Sequence, residues 1–78
     1  MMIEIYGTTN CAACKQAAEL CKAAGLEYKY HLLDEEPDLI EELEQRIGRF
    51  TTVPQIFVDD EHVGGLMSFK AKAGAFNG

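Results

Sequence analysis

The chain has 78 residues, 47% of them hydrophobic and 26% charged, which is the make-up of one small globular domain rather than a disordered, fibrous or two-domain protein. At this size the folded surface scales to about 4,700 Å² against about 12,500 Å² for the unfolded chain, so there is one core layer and no room for a deep cavity. Seven Lys and Arg against 13 Asp and Glu leave a net charge of −6, which disfavours binding to the phosphate backbone of nucleic acids.

Met2-Ile3-Glu4-Ile5-Tyr6 alternates in character and is β-branched, so the first strand is expected there. Gly7-Thr8-Thr9-Asn10 is a turn cluster, and Asn10 is the expected cap of a helix running from Cys11 to Ala24. That segment is rich in Ala, the best helix former. Lys15, Glu19 and Lys22 mark its polar stripe and Ala13, Ala17, Leu20 and Ala24 its apolar one, with Gly25 as the left-handed C-terminal cap. Residues 27–33 read as a second strand. Pro37 suits the first turn of a second helix, whose buried face is expected at Leu39, Ile40, Leu43 and Ile47. Its early acids, and Arg46 and Arg49 near its end, both complement the helix dipole. Gln55-Ile56-Phe57-Val58 and Glu61-His62-Val63 form a hairpin about the turn Asp59-Asp60. Gly64-Gly65 breaks the pattern before a last helix from Leu66 to about Ala73, and 74–78 is expected to be a frayed tail. The order βαβα–ββα predicts a single α/β domain over residues 1–78. Its first half is two parallel strands joined by a helical crossover, completed by an antiparallel hairpin into a four-stranded mixed sheet with helices on both faces. That is the minimal thioredoxin-like arrangement.

Charge and cysteine are unevenly spread. Residues 1–33 carry three acids and three bases, whereas 34–49 carry seven acids and two bases, a net −5. The acidic segment reads as a solvated face that could also select a partner with a basic patch. Three cysteines, an odd number, fit poorly with a secreted disulfide framework. Met1 leads directly into a strand pattern, so neither a targeting leader nor a membrane segment is expected, and the cytosol is the expected setting. There a close cysteine pair is more often redox-active or metal-binding than structural.

Cys11-Ala12-Ala13-Cys14 follows a strand and a turn and opens a helix. Thiolate is the attacking species in thiol–disulfide exchange, and a helix N-terminus stabilises it through free N–H groups and the dipole. Spacing i, i+3 puts the second sulfur one turn on, within reach of a mixed disulfide made by the first. Cys11 is therefore the candidate nucleophile and Cys14 the candidate resolving thiol, with Lys15 adding a small positive influence. A structural zinc site would need four ligands, and only Cys21, His31 and His62 remain to supply the others. Two incidental buried cysteines are the other alternative. Cys21 is read as core packing, with glutathionylation as its alternative fate, and His31 and His62 as surface strand residues. Tyr6 is expected to pack near the loop that bears the cysteines.

Over nearly its whole length the chain resembles the glutaredoxin family. Three blocks carry the resemblance: Ile5-Tyr6 leading to Cys11-x-x-Cys14, Thr51-Thr52-Val53-Pro54-Gln55-Ile56-Phe57, and Glu61-His62-Val63-Gly64-Gly65. It implies a glutathione-dependent thiol–disulfide oxidoreductase in a bacterial or phage-infected cytosol. Protein disulfides, such as those of ribonucleotide reductase, and glutathione mixed disulfides would be the substrates. Glutathione would be a co-substrate, with no permanently bound cofactor or metal, no nucleic-acid or membrane partner, and a monomeric state. The resemblance further implies a cis Val53–Pro54 bond facing Cys11, where Thr52, Val53 and Pro54 receive the cysteinyl segment of glutathione by strand addition. The backbone of Gly65, Leu66, Met67 and Ser68 would line its γ-glutamyl end, and Arg49, or else Arg46, would pair with its glycyl carboxylate.

The chain departs from the family pattern in three places. Ala12-Ala13 replaces the frequent Pro-Tyr, Thr8 stands where a lysine is often found beside the glutathione site, and Met67 and Ser68 replace an acid after the glycine pair. These departures leave two alternatives: a glutaredoxin-like electron donor reduced by thioredoxin reductase, and a glutaredoxin holding a [2Fe–2S] cluster across a dimer.

Overall fold

The alternation at the start of the chain decides which face of the sheet each residue serves. The computed structural model describes residues 1–77. In chain order it holds β1 (Met2–Gly7), α1 (Ala12–Ala24), β2 (Glu27–Leu32), α2 (Asp38–Ile47), β3 (Gln55–Val58), β4 (Glu61–Gly64) and α3 (Leu66–Asn77). The sheet order is β2-β1-β3-β4, with β1 parallel to β2 and antiparallel to β3, and β3 antiparallel to β4. β1 is thus interior, with Ile5 opposite both Tyr30 and Ile56. The β3–β4 turn is made by Asp59 and Asp60 at φ 49° and 69°, two left-handed residues in succession, as a tight hairpin with the right twist requires. The accessible surface, 4773 Å², matches the area expected of a chain with one core layer.

Two clusters cover the two faces. Ile3 and Ile5 of β1 join Cys14, Ala17, Ala18 and Cys21 of α1, Ile56 and Val58 of β3, and Phe69 of α3. On the other face Tyr6 and Phe57 meet Leu33 and Leu43, with Leu39, Ile47 and Phe50 packed around them. The period-2 alternation of β1 is what sends Ile3 and Ile5 one way and Tyr6 the other.

Several expectations are corrected. The buried stripe of α1 is Cys14, Ala17, Ala18 and Cys21; Ala13 and Leu20 are half-buried and Ala24 is exposed. The cysteines act as small apolar residues, and with the alanines they let the helix lie close on the sheet. On α2, Leu39, Leu43 and Ile47 recur every four residues and face the sheet, whereas Ile40 is turned aside and 39% exposed. Pro37 is the cap residue before α2 rather than a residue of its first turn. β2 ends at Leu32 and α3 continues through Asn77, four residues past the expected end and across most of the expected tail; residue 78 lies outside the described residues. Phe69 and Ala73, one turn apart and both buried, hold that helix down. Among the described residues no helix is long and apolar enough to cross a membrane.

Cys21 is fully buried and unpaired, as its reading as packing implies. Burial pushes its thiol up to about 11, so it stays protonated at neutral pH and is a poor nucleophile. Cys21→Ala should fold, lose about 1 kcal/mol of stability in denaturant titrations, and keep most of its thiol–disulfide exchange. Loss of exchange by a correctly folded Cys21→Ala protein would overturn the packing role.

Candidate active site

Four residues, Thr8 to Cys11, connect β1 to α1, and how they arrive decides the chemistry. Cys11 is extended (φ −119°, ψ 106°) and is itself the N-cap of α1. Its carbonyl accepts the amide of Lys15 at 3.1 Å, and its Sγ accepts the N–H of Cys14, also at 3.1 Å. A sulfur therefore occupies the place that a hydroxyl or carboxylate fills at most helix starts. The expected cap, Asn10, is exposed, one residue too early for its side chain to hold that place. A thiolate on Cys11 would receive an N–H group and the positive end of the helix dipole together, both of which favour the charged form.

The two sulfurs are unequal. Cys11 and Cys14 are joined by a disulfide, with Cα atoms 5.2 Å apart. Cys14 is fully buried while Cys11 is only half-buried. Access is one of the factors that decides which sulfur exchanges with an incoming partner, and it favours Cys11. Cys14 owes its seat to Gly7. A Cβ at that position would lie 2.5 Å from Cys14 Sγ, 2.9 Å from Cys14 Cβ and 3.3 Å from the Tyr30 hydroxyl. Gly7 reads from sequence as a turn residue; in fact it ends β1 and makes the space for the second sulfur.

The loop is fastened to the far end of β2. Gly7 O accepts the Leu33 amide at 2.8 Å, and Thr8 O accepts the Tyr30 hydroxyl at 2.9 Å. The Thr9 amide donates to both carboxylate oxygens of Asp34, at 3.1 and 3.2 Å. Hydrogen bonding from Thr9 holds the Asp34 carboxyl below its ordinary range, and burial raises the Tyr30 hydroxyl above its own. Tyr30 and Asp34 escape sequence reasoning, because 22 and 25 residues separate them from their partners and no local pattern marks the pairing.

The Val53–Pro54 bond is cis. Val53 and Cys11 pack against the same core cluster. A Cβ on Gly65 would stand 3.8 Å from Pro54 O, so the start of α3 abuts the proline loop. The first turn of α3 carries no acid; Leu66 is half-buried, Ser68 exposed and Met67 75% exposed. Thr52 is exposed, and its carbonyl accepts from the Gln55 side chain at 2.9 Å. Thr8 is half-buried, and Arg49 is exposed with no ion pair among the described residues.

Arg46 lies elsewhere. Its guanidinium donates to the Tyr6 hydroxyl at 2.9 Å and to Glu4 at 3.2 Å, reaches Asp60 at 3.4 Å, and sits 3.7 Å over the Phe57 ring. These bonds commit it to tying α2 to the sheet. Tyr6 follows it: the ring is buried beneath α2 on the face opposite Cys14, not beside the cysteine loop, and burial raises its hydroxyl pKa. His31 stacks on Tyr6 at 4.5 Å and pairs with Glu4, while the exposed His62 bonds Gln55 at 2.8 Å. Among the described residues no group of three His, Cys, Asp or Glu is placed to hold a metal ion.

Comparison with known proteins agrees with this fold. A family model described as Glutaredoxin matches residues 3–63. The glutaredoxin of Vibrio cholerae is 38% identical over 79 residues, spanning 94% of this chain and 91% of that protein. The structure of reduced Escherichia coli glutaredoxin superposes with a TM-score of 0.82 at 32% identity, over 96% of this chain and 95% of that one. A buckwheat glutaredoxin–glutathione complex superposes with a TM-score of 0.79 at 28% identity, over 95% of this chain and 69% of that one.

The contact between Gly7 and Cys14 can be tested directly. Gly7→Ala should cost about 1–3 kcal/mol by overpacking. By displacing Cys14 Sγ it should also shift the Cys11–Cys14 couple toward the dithiol in a glutathione redox buffer. Unchanged stability together with an unchanged redox equilibrium would rule out the steric role of Gly7.

Proposed function

This chain belongs to the glutaredoxin family and is a thiol–disulfide oxidoreductase, and we propose that glutathione is its reductant, with Cys11 the nucleophile and Cys14 the resolving thiol. The observation that carries the reading is the Cys14 N–H aimed at the Cys11 sulfur at the start of α1, on the more accessible member of the pair. The Cys11 thiolate attacks one sulfur of a substrate disulfide; a Cys11–substrate bond forms and the other sulfur leaves as a thiolate. Cys14, losing its proton, attacks Cys11 Sγ and releases the second substrate thiol, which leaves the Cys11–Cys14 disulfide. One glutathione thiolate then attacks Cys11 and frees Cys14. A second releases Cys11, and glutathione disulfide departs.

Glutathione would lie along Thr52, Val53 and Pro54, with its γ-glutamyl end at the backbone of Gly65, Leu66, Met67 and Ser68, its glycyl carboxylate near Arg49, and Thr8 flanking the thiol. The fold neighbour from buckwheat, solved with glutathione, supports this choice of ligand. Charge supports it as well, since the excess of acid lies in residues 34–49 and the cysteine-bearing first third is neutral. The proposed substrates are glutathione mixed disulfides and protein disulfides such as those of ribonucleotide reductase, met by a monomer. The free thiol of Cys21 suits a reducing cytosol.

One observation favours a second reading. The first turn of α3 has no acid to pair with the glutathione amino group and presents Met67 instead, which would weaken glutathione binding and suit electrons drawn from thioredoxin reductase. Both readings are tested by following NADPH oxidation with glutathione plus glutathione reductase, and separately with thioredoxin reductase. Turnover is expected with the first, and turnover only with the second would replace it. Cys11→Ser should abolish all activity. Cys14→Ser should lose protein-disulfide reduction while keeping removal of glutathione from mixed disulfides. Activity surviving Cys11→Ser would overturn the nucleophile assignment.

A further inference from the structure

A sulfur can cap α1 only while the loop delivers Cys11 in its extended conformation, and the usual devices for holding a helix start are missing. The first turn of α1 carries no acid that could complete a capping box. Ala12, its first residue, is not the proline that would preset the turn, and Asn10 is exposed. The loop is held from outside the helix. Three consecutive residues, Gly7, Thr8 and Thr9, each give one backbone group to the segment 30–34, at 2.8, 2.9 and 3.1 Å. The Leu33 amide extends the β1–β2 ladder and would do so whatever its side chain. The other two partners are side chains, Tyr30 and Asp34, and those bonds are specific to the sequence.

We propose that Tyr30 and Asp34 are positioning residues for the nucleophile, clamping Thr8 and Thr9 so that Cys11 stays at the helix cap with its sulfur on the Cys14 amide. Tyr30 is suited to this because its ring packs against the cluster that contains Cys14, so one side chain references both the loop and the seat of the second sulfur. Asp34 is suited because both of its oxygens share the Thr9 amide, and it lies two residues past the end of β2, whose position is set by pairing with β1. With either bond lost the loop gains conformers in which Cys11 has left the cap, and in those its thiolate has neither the N–H nor the dipole.

The sign of the effect separates positioning from charge. A carboxylate near the loop repels a thiolate, so a purely electrostatic Asp34 would be holding Cys11 back, and removing it would speed the thiol. A positioning Asp34 predicts the opposite. The inference rests on Cys11 being the reactive thiol, and the readout is chosen to keep the two apart: the rate of iodoacetamide alkylation at Cys11 in the reduced protein, followed by mass spectrometry against pH.

In the wild type Cys11 should alkylate well ahead of Cys14 and Cys21; if it does not, the proposed function fails with it. Tyr30→Phe and Asp34→Ala should each slow Cys11 about three- to tenfold at a pH below the wild-type midpoint, by raising the midpoint of the profile, and should converge on the wild-type rate well above it, where all the thiol is ionised. Asp34→Asn, which keeps an acceptor oxygen and loses the charge, should stay at or slightly above the wild-type rate. Loss of structure alone would not move the midpoint while leaving the plateau intact. A fast wild-type Cys11 with an unmoved midpoint in either Tyr30→Phe or Asp34→Ala removes that residue from the clamp. Faster alkylation in Asp34→Ala overturns positioning in favour of charge.

Discussion

Capping a helix with a sulfur places that atom among the helix's own free N–H groups, and this arrangement at Cys11 organises the rest of the site. It lets the dithiol share one turn of helix, since the amide that serves Cys11 belongs to the residue bearing the second sulfur. It also forces the first turn of α1 down onto β1, because Cys14 can be buried only where the strand has no side chain. The bare backbone of Gly7 is that place. Strand, cap and second sulfur are therefore interdependent, and none can shift without the others.

The sheet divides the labour between its faces. The face covered by α1 and α3 holds the dithiol, the buried Cys21 and the aliphatic core. The face covered by α2 holds Tyr6, Phe57 and the Arg46–Glu4 pair, and beyond it the acidic segment turns to solvent. The first residue of the acidic segment, Asp34, bonds the loop before Cys11. The strongly negative charge of the chain is thus carried mostly away from the sulfurs.

How much of this was legible in the sequence follows from range. Features set by neighbours along the chain were readable: the order of elements, Gly25 as a left-handed cap at φ 68°, the hairpin, and the C-x-x-C at a helix start. Where side chains of similar character compete, local pattern misleads. Asn10 is the better capping residue by type, but one residue too early, and the stripe of Ala13, Ala17, Leu20 and Ala24 is rotated from the buried face, which runs through Cys14, Ala17, Ala18 and Cys21. Ile40 has the chemistry of a core residue, but the four-residue spacing of Leu39, Leu43 and Ile47 excludes it. Partners separated by the whole fold were not legible at all. Tyr30 with Thr8, Asp34 with Thr9, and Arg46 with Tyr6 and Glu4 meet only once β1 has paired with its neighbours.

The environment of Arg46 has a consequence for how the molecule responds to its solvent. α2 contributes a single fully buried residue, Leu43, flanked by the half-buried Leu39 and Ile47, and its polar hold on the sheet runs through one guanidinium that spans Glu4, Tyr6, Phe57 and Asp60. The opposite face is held by apolar contact, which salt does not screen. Added salt therefore screens the Arg46–Asp60 pair, whose carboxylate is exposed, more than the partly buried Arg46–Glu4 pair, and weakens the charged tie of α2 at its rim before its centre.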